Sequence, residues 1–118
     1  MRGLKNIGNQ LKKAFVMRAE QAEIISNYIK DSPYPVILMG DFNDTPQSYA
    51  YRKIRKGLSD AFRKSGKGFG HTYTGDLPPF RIDYIMYSEP VASRQFKRIK
   101  NSFSDHYPIS AQLYVPEE

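Results

Sequence analysis

The chain has 118 residues, 40% of them hydrophobic, and a net charge of +6 from 18 Lys and Arg against 12 Asp and Glu, values that suit one small globular domain and exclude a disordered chain. It has no cysteine, so disulfides and thiolate metal sites are excluded, and any metal would be a hard ion such as Mg²⁺ or Mn²⁺. The positive charge favours anionic partners such as nucleic acid, phosphorylated small molecules or lipid headgroups, but a solubilising surface explains it equally well.

The first predicted element is a long helix. Residues 1–10 are expected to be a flexible lead-in, because two glycines and two asparagines lie among them. From about residue 11 to residue 30, apolar side chains recur at helical spacing. They are Phe15, Ala19, Ala22, Ile25 and Ile29. Pro33 should end the helix, because proline disfavours helical geometry in the residue before it.

A short apolar strand follows at residues 35–39, PVILM, and its composition predicts burial on both faces. Asp41, Asn43 and Asp44 come directly after it. Polar groups at the end of a buried strand are typical of active sites in α/β folds, but Asp and Asn are also common in turns, so both interpretations stay open here.

A second helix is predicted over about residues 47–56, with Thr45 as its N-cap and Pro46 in its first turn. Its closing turns hold four cations, which complement the negative end of the helix dipole. They are Arg52, Lys53, Arg55 and Lys56. A surface that follows phosphate groups is the alternative interpretation of these cations.

Three later strands are predicted at about residues 81–87, 92–99 and 109–115. Strand alternation in the first of them places Asp83 on the same face as Ile85 and Tyr87. A carboxylate on an apolar face costs several kcal/mol unless it is paired. His106, which precedes the last strand, is the best candidate for that pairing. The alternatives are a surface His106 and a salt bridge from Asp83 to Arg81 or Arg94.

Three short motifs carry a family resemblance: GDFND at 40–44, RIDYI at 81–85 and SDHYP at 104–108. Together and in this order they resemble the endonuclease/exonuclease/phosphatase superfamily, and the match covers about residues 15–115. The resemblance implies an α/β (α+β) fold that forms one half of a four-layer α/β/β/α sandwich. Its sheet would be mostly antiparallel or mixed, with helices on one face, and residues 11–118 would form the C-terminal half of the domain.

The resemblance also assigns catalytic roles. Asp41 matches the aspartate that orients and deprotonates the attacking water, and Asn43 matches the asparagine that holds this water or a phosphate oxygen. His106 matches the histidine that donates to the scissile phosphate. Asp83 matches the aspartate that hydrogen-bonds this histidine. These roles suit the hydrolysis of a phosphate ester.

Further residues are implied to support the site. Asp105 matches a carboxylate at or near the divalent-metal site, which would hold Mg²⁺ or Mn²⁺. Thr72 and Tyr73 resemble a segment that supports the site. The family's main metal-binding glutamate comes from the first half of the domain and has no counterpart here, so the metal is expected to be weakly bound or absent.

This sequence is therefore expected to be the C-terminal half of a metal-dependent phosphodiesterase, nuclease or phosphatase that is weakly active or inactive alone. The missing N-terminal half would be its partner, and an apolar sheet face left uncovered predicts self-association. The alternatives are a non-catalytic, self-associating fragment and an anion- or nucleic-acid-binding module that rests on the +6 charge.

Overall fold

A computed structural model describes residues 2–66, 70–73, 80–100 and 104–117, with side chains from residue 8 onward. Three helices and five strands lie in these ranges: α1 (Arg2–Asp31), β1 (Ile37–Asp41), α2 (Tyr49–Arg55), β2 (Ser59–Asp60), α3 (Ala61–Ser65), β3 (Asp83–Tyr87), β4 (Ala92–Arg98) and β5 (Ile109–Tyr114). Within the described ranges, no helix is both long and apolar enough to cross a membrane.

The strands form two antiparallel sheets. Strand β3 lies between β1 and β2 in a three-stranded sheet, and β4 pairs with β5 in a second sheet of two strands. In the β1–β3 pair, Ile37 lies opposite Tyr87 and Asp41 lies opposite Asp83. The strands predicted near residues 81–87, 92–99 and 109–115 are confirmed, as is the α+β fold class with antiparallel sheets.

Strand β3 divides the core into two clusters because its side chains alternate between its faces. On one face, Tyr84 and Met86 pack against α1 and α2, which supply Ala22 and Ile54. On the other face, the cluster consists of Ala61, Ile85 and Tyr87 with Val91, Phe96, Ile109, Ala111 and Leu113. The β4–β5 hairpin therefore covers the face of β3 that also carries Asp83.

Helix α1 is longer than predicted, because residues 2–10 are helical rather than a flexible lead-in. Once a helix has nucleated, each added residue gains a hydrogen bond. A glycine such as Gly8 weakens a helix by about 1 kcal/mol but does not break it as proline does. The C-terminal end at Asp31 is confirmed.

Strand β1 is not buried on both faces as its composition predicted. Ile37 and Met39 are 50% and 65% exposed. The reason is topological: β1 is an edge strand, and the β4–β5 hairpin packs on Ile85 and Tyr87 of the neighbouring strand. The chain therefore presents an uncovered apolar strip beside its covered core.

Helix α2 begins at Tyr49 with Ser48 as its N-cap, so the predicted Thr45 cap is wrong. The Ser48 hydroxyl accepts a hydrogen bond from the Tyr51 amide at 3.1 Å. The Thr45 carbonyl instead accepts the Ser48 amide at 3.0 Å and closes a turn ahead of the helix. Thr45 and Ser48 are both suitable N-cap residues, but the turn between them places Ser48 at the N-cap position.

Candidate active site

Two strands and one loop bring three titratable side chains together. Asp41 ends β1 and Asp83 begins β3, and the antiparallel register places them opposite each other. His106, which precedes β5, donates from Nδ1 to Asp83 Oδ2 at 2.7 Å. Its Nε2 lies 3.7 Å from Asp41 Oδ2. The predicted Asp83–His106 pair is confirmed, and Asp41 lies beside it.

The alternative partners for Asp83 are occupied elsewhere. Arg81 forms a 2.7 Å ion pair with the buried carboxylate of Asp60, and Arg94 donates to Gln112 at 2.9 Å. The Arg81–Asp60 pair is a feature that sequence reasoning missed, because 21 residues separate its members. The position of Asp60 as the N-cap of α3 is its one local signal.

The environment of His106 favours its protonated form. The hydrogen bond to Asp83 is the main cause that raises the pKa of His106, and the negative charges of Asp83, Asp41 and Asp105 act in the same direction. Partial burial opposes them, because desolvation penalises the charged imidazolium. The nearby carboxylates thus favour the charged form of His106, whose Nε2 faces Asp41.

Asp41 takes part in a turn and in the site at the same time. Its Oδ1 accepts the Asn43 amide at 2.7 Å, and Asn43 has a φ of 53°, a left-handed geometry that asparagine tolerates. The other oxygen, Oδ2, faces His106. The turn interpretation and the active-site interpretation of Asp41 and Asn43 are therefore compatible. The Asn43 side chain is exposed.

Thr72 fixes the backbone on both sides of the site. Its side chain is completely buried, and Oγ1 accepts the amides of Ile82 and Asp83 at 3.0 and 3.1 Å. Its carbonyl accepts the Tyr107 amide at 2.6 Å. One residue thus ties the start of β3 to the loop that carries His106, which matches the supporting position predicted for Thr72.

Tyr73 and Ser104 orient His106 from two directions. Tyr73 forms an isolated antiparallel bridge with His106, and the two rings meet edge to face at 5.8 Å. Ser104 Oγ accepts the His106 amide at 3.0 Å. Asp105 is more exposed to solvent than His106. Its side chain is 62% exposed, and its Oδ1 is 3.8 Å from His106 Nε2.

The site opens into a cleft of about 310 Å³ between the two sheets. Met39, Ile85 and Ile109 are apolar residues in its lining, whereas Asp41, Asp83 and His106 are its acid–base residues. This combination of apolar walls with a few convergent polar groups is typical of ligand sites.

The same residues include possible ligands for a divalent ion. Atoms of Asp41, Asp83 and His106 lie within 4.8 Å of one another and form a possible metal group. However, Asp83 and His106 Nδ1 already bind each other, which leaves Asp41 as the remaining carboxylate of this group, and Asp105 lies outside the group as a separate, exposed carboxylate. Mg²⁺ commonly binds through one or two carboxylates and keeps water or substrate phosphate as its other ligands. The donor set therefore fits such an ion.

Several solved structures have a fold similar to that of this chain. An endonuclease/exonuclease/phosphatase from Bacteroides vulgatus is 26% identical with a TM-score of 0.71, over 84% of this chain and 44% of that chain. The mannosyl-6-phosphatase of Bacteroides thetaiotaomicron is 23% identical with a TM-score of 0.66, over 82% and 45%. The human nocturnin catalytic domain, solved with sulfate, is 21% identical with a TM-score of 0.65, over 85% and 42%. The last two similarities establish the fold alone.

This chain spans less than half the length of each of these proteins. A comparison with curated protein sequences gave no significant match. The sequence profile of the endonuclease/exonuclease/phosphatase family matches residues 14–106, which include the first two motifs, the first three residues of the third and every proposed site residue. The chain belongs to the endonuclease/exonuclease/phosphatase family.

Proposed function

We propose that this chain carries the acid–base residues of a metal-dependent hydrolase of phosphate esters. The observation that carries the proposal is the arrangement of Asp41, Asp83 and His106 at one end of an open cleft. A histidine held protonated by a carboxylate is a donor for an anionic oxygen, and a second carboxylate beside it is a base for water.

In the proposed reaction, each residue acts from its observed position. Asp41 Oδ2 accepts a proton from the attacking water, and His106 Nε2 donates a hydrogen bond to an oxygen of the phosphate. Asp83 positions the imidazole and supports its charge. Asn43 holds the water or a phosphate oxygen. Thr72 and Tyr73 keep the two halves of the site in register.

Mg²⁺ or Mn²⁺ is the proposed cofactor, and it would be held by Asp105 together with ligands from outside the described residues. When bound, such an ion supplies Lewis-acid stabilisation of charge on phosphate oxygens. A single carboxylate that is 62% exposed makes a weak site. We therefore expect weak metal binding and weak hydrolysis by the 118-residue chain alone.

The substrate class is proposed only as a phosphate ester, in nucleic acid, a phosphorylated small molecule or a lipid headgroup. The matched structures include a mannosyl-6-phosphatase and a domain that binds sulfate, an anion of similar shape to phosphate. Both support chemistry at a phosphate group. A second family half, which would supply further ligands and substrate contacts, is the proposed partner.

The test is hydrolysis of bis(4-nitrophenyl) phosphate and 4-nitrophenyl phosphate with Mg²⁺, by this chain and by any longer form of the protein that contains it. Asp41→Ala and His106→Ala should each lower the rate by about 10² or more, because each removes a group that acts on the reacting atoms. Lys53→Ala, in α2 and outside the cleft of the candidate site, is the control and should change the rate less than about twofold. Equal rates in all four proteins would exclude this site as the source of activity.

A second candidate function is a non-catalytic fragment that associates with itself. The exposed Ile37 and Met39 on edge strand β1 favour it, because uncovered apolar strand surface is a common association site. Sedimentation velocity should show concentration-dependent dimers that Met39→Lys shifts toward monomer. A monodisperse monomer at high concentration would contradict self-association.

A further inference from the structure

Arg55, the last residue of α2, has a buried guanidinium nitrogen, Nε, that has no hydrogen-bond partner among the described residues. This nitrogen is inaccessible to solvent. A buried unpaired donor costs about 1–3 kcal/mol, and more when it is charged. Native structures usually satisfy such groups with water or an ion. The helix dipole favours a cation here, but it leaves Nε without an acceptor.

The same guanidinium lines a cleft of about 200 Å³ between the end of α2 and α3. Three cations surround this cleft, namely Arg55, Arg63 and Lys64. Across the described ranges, none of the three forms an ion pair. This volume exceeds that of several water molecules at about 30 Å³ each, so a hydrated tetrahedral anion fits.

The one acidic residue of this cleft does not neutralise the cations. Asp60 Oδ2 accepts hydrogen bonds from Arg81 at 2.7 Å and from the Tyr51 hydroxyl at 2.7 Å. Its Oδ1 accepts the Phe62 amide at 3.0 Å. Since Arg81 balances the charge of Asp60, no acidic side chain in the described ranges forms an ion pair with the three cations of the cleft.

The cleft is separate from the candidate active site. Ser59, which lines it, pairs with Tyr87 at the far end of β3, whereas Asp83 lies at the other end. Four residues of strand separate these positions by about 13 Å. An anion in this cleft would therefore not touch the Asp41–Asp83–His106 cluster.

We propose that Arg55, Arg63 and Lys64 form a second, non-catalytic binding site for a phosphate group. Guanidinium groups bind two phosphate oxygens through parallel hydrogen bonds, and a lysine adds a compact charge. The phosphate arrives either as the free ion or within a phosphodiester. The proposal is independent of hydrolysis at the other site.

The test is calorimetric titration of the chain with inorganic phosphate and, separately, with a dinucleotide that carries one phosphodiester, at about 0.15 M ionic strength. Arg55→Gln and Arg63→Gln should each weaken binding of the preferred probe by about tenfold or more. Arg52→Gln is the matched control, because Arg52 is an exposed cation on the same helix and lies outside the cleft. It should change the dissociation constant less than about twofold.

Two further variants make the result specific. Arg55→Lys keeps the charge but not the planar fork, and it should still weaken binding while circular dichroism shows an unchanged fold. In a His106→Ala background, which removes phosphate binding at the candidate active site, saturable binding of the preferred probe should remain, and Arg55→Gln should still weaken it by about tenfold, which separates the two sites. Stronger binding of inorganic phosphate identifies the free ion as ligand, and stronger binding of the dinucleotide identifies a phosphodiester. Absence of saturable binding, equal losses in all three Arg→Gln variants, or loss of binding in His106→Ala would overturn the proposal.

Discussion

Replacing Asp83 by asparagine tests the central hydrogen bond of the site. The Asp83 and His106 side chains are 18% and 29% exposed, so the bond is only partly screened by solvent. A hydrogen bond to a charged group contributes about 1.5–3 kcal/mol, against about 0.5–1.5 for a neutral pair. Asp83→Asn keeps the shape and one acceptor but removes the charge. We expect a loss of about 1–2 kcal/mol in the free energy of unfolding where His106 is protonated.

The sign of the pH dependence follows from the direction of the pKa shift. The pKa of His106 is raised in the folded chain, chiefly by its hydrogen bond to Asp83. Its contribution to stability is therefore fully present below the unfolded pKa of about 6.5 and is lost as pH rises through the raised folded pKa. The destabilisation by Asp83→Asn should accordingly be larger at acidic pH, above the carboxylate range, than at alkaline pH.

Urea unfolding followed by circular dichroism, in metal-free buffer at about pH 5.5 and pH 9, measures this difference. Asp105→Asn is the matched control, since this carboxylate is 62% exposed and lies 3.8 Å from the ring. It should cost less than about 0.5 kcal/mol. An equal loss for Asp83→Asn at both pH values, or a loss in Asp105→Asn as large as that in Asp83→Asn, would refute the reasoning.

The two histidines of the chain provide an internal comparison by NMR titration. The pKa of His71 is lowered by burial and by the charge of Arg98, and Asp83 is not among these causes. Asp83→Asn should therefore lower the pKa of His106 and leave the pKa of His71 unchanged. Thr72→Val should cost about 1–3 kcal/mol in urea unfolding because two amides at the start of β3 lose their acceptor, whereas Thr72→Ser, which keeps the hydroxyl, should cost less. Arg81→Met should cost about 3–5 kcal/mol, because the Asp60 carboxylate would be buried without its cation; a loss below about 1 kcal/mol would contradict that pairing.

The pairing of Asp83 with His106 was predictable because strand alternation put Asp83 on an apolar face, where an unpaired carboxylate is unfavourable. Strand alternation placed a carboxylate beside Ile85 and Tyr87, so a partner was required, and the sequence offers few candidates. The structure confirms that partner. The antiparallel register of Asp41 and Asp83 depends instead on pairing between distant strands, which periodicity does not specify.

The sequence predictions were wrong where two local arrangements are close in energy, or where packing between distant segments decides the structure. Thr45 and Ser48 are both good N-caps, and the turn between them selects Ser48. The apolar residues of β1 predicted burial, but exposure depends on which strand the hairpin covers. The unpartnered Nε of Arg55 had no sequence signal beyond a basic helix end, since its burial follows from the packing around α2.

A double-mutant cycle on phosphodiester hydrolysis tests the central claim most directly, because Asp83 is proposed to act only through His106. The rates of Asp83→Asn, His106→Ala and the double variant are compared with that of the wild type on bis(4-nitrophenyl) phosphate with Mg²⁺. We predict that the double variant hydrolyses this substrate as fast as His106→Ala alone. Multiplied losses in the double variant would contradict the account, because the two residues would then act independently.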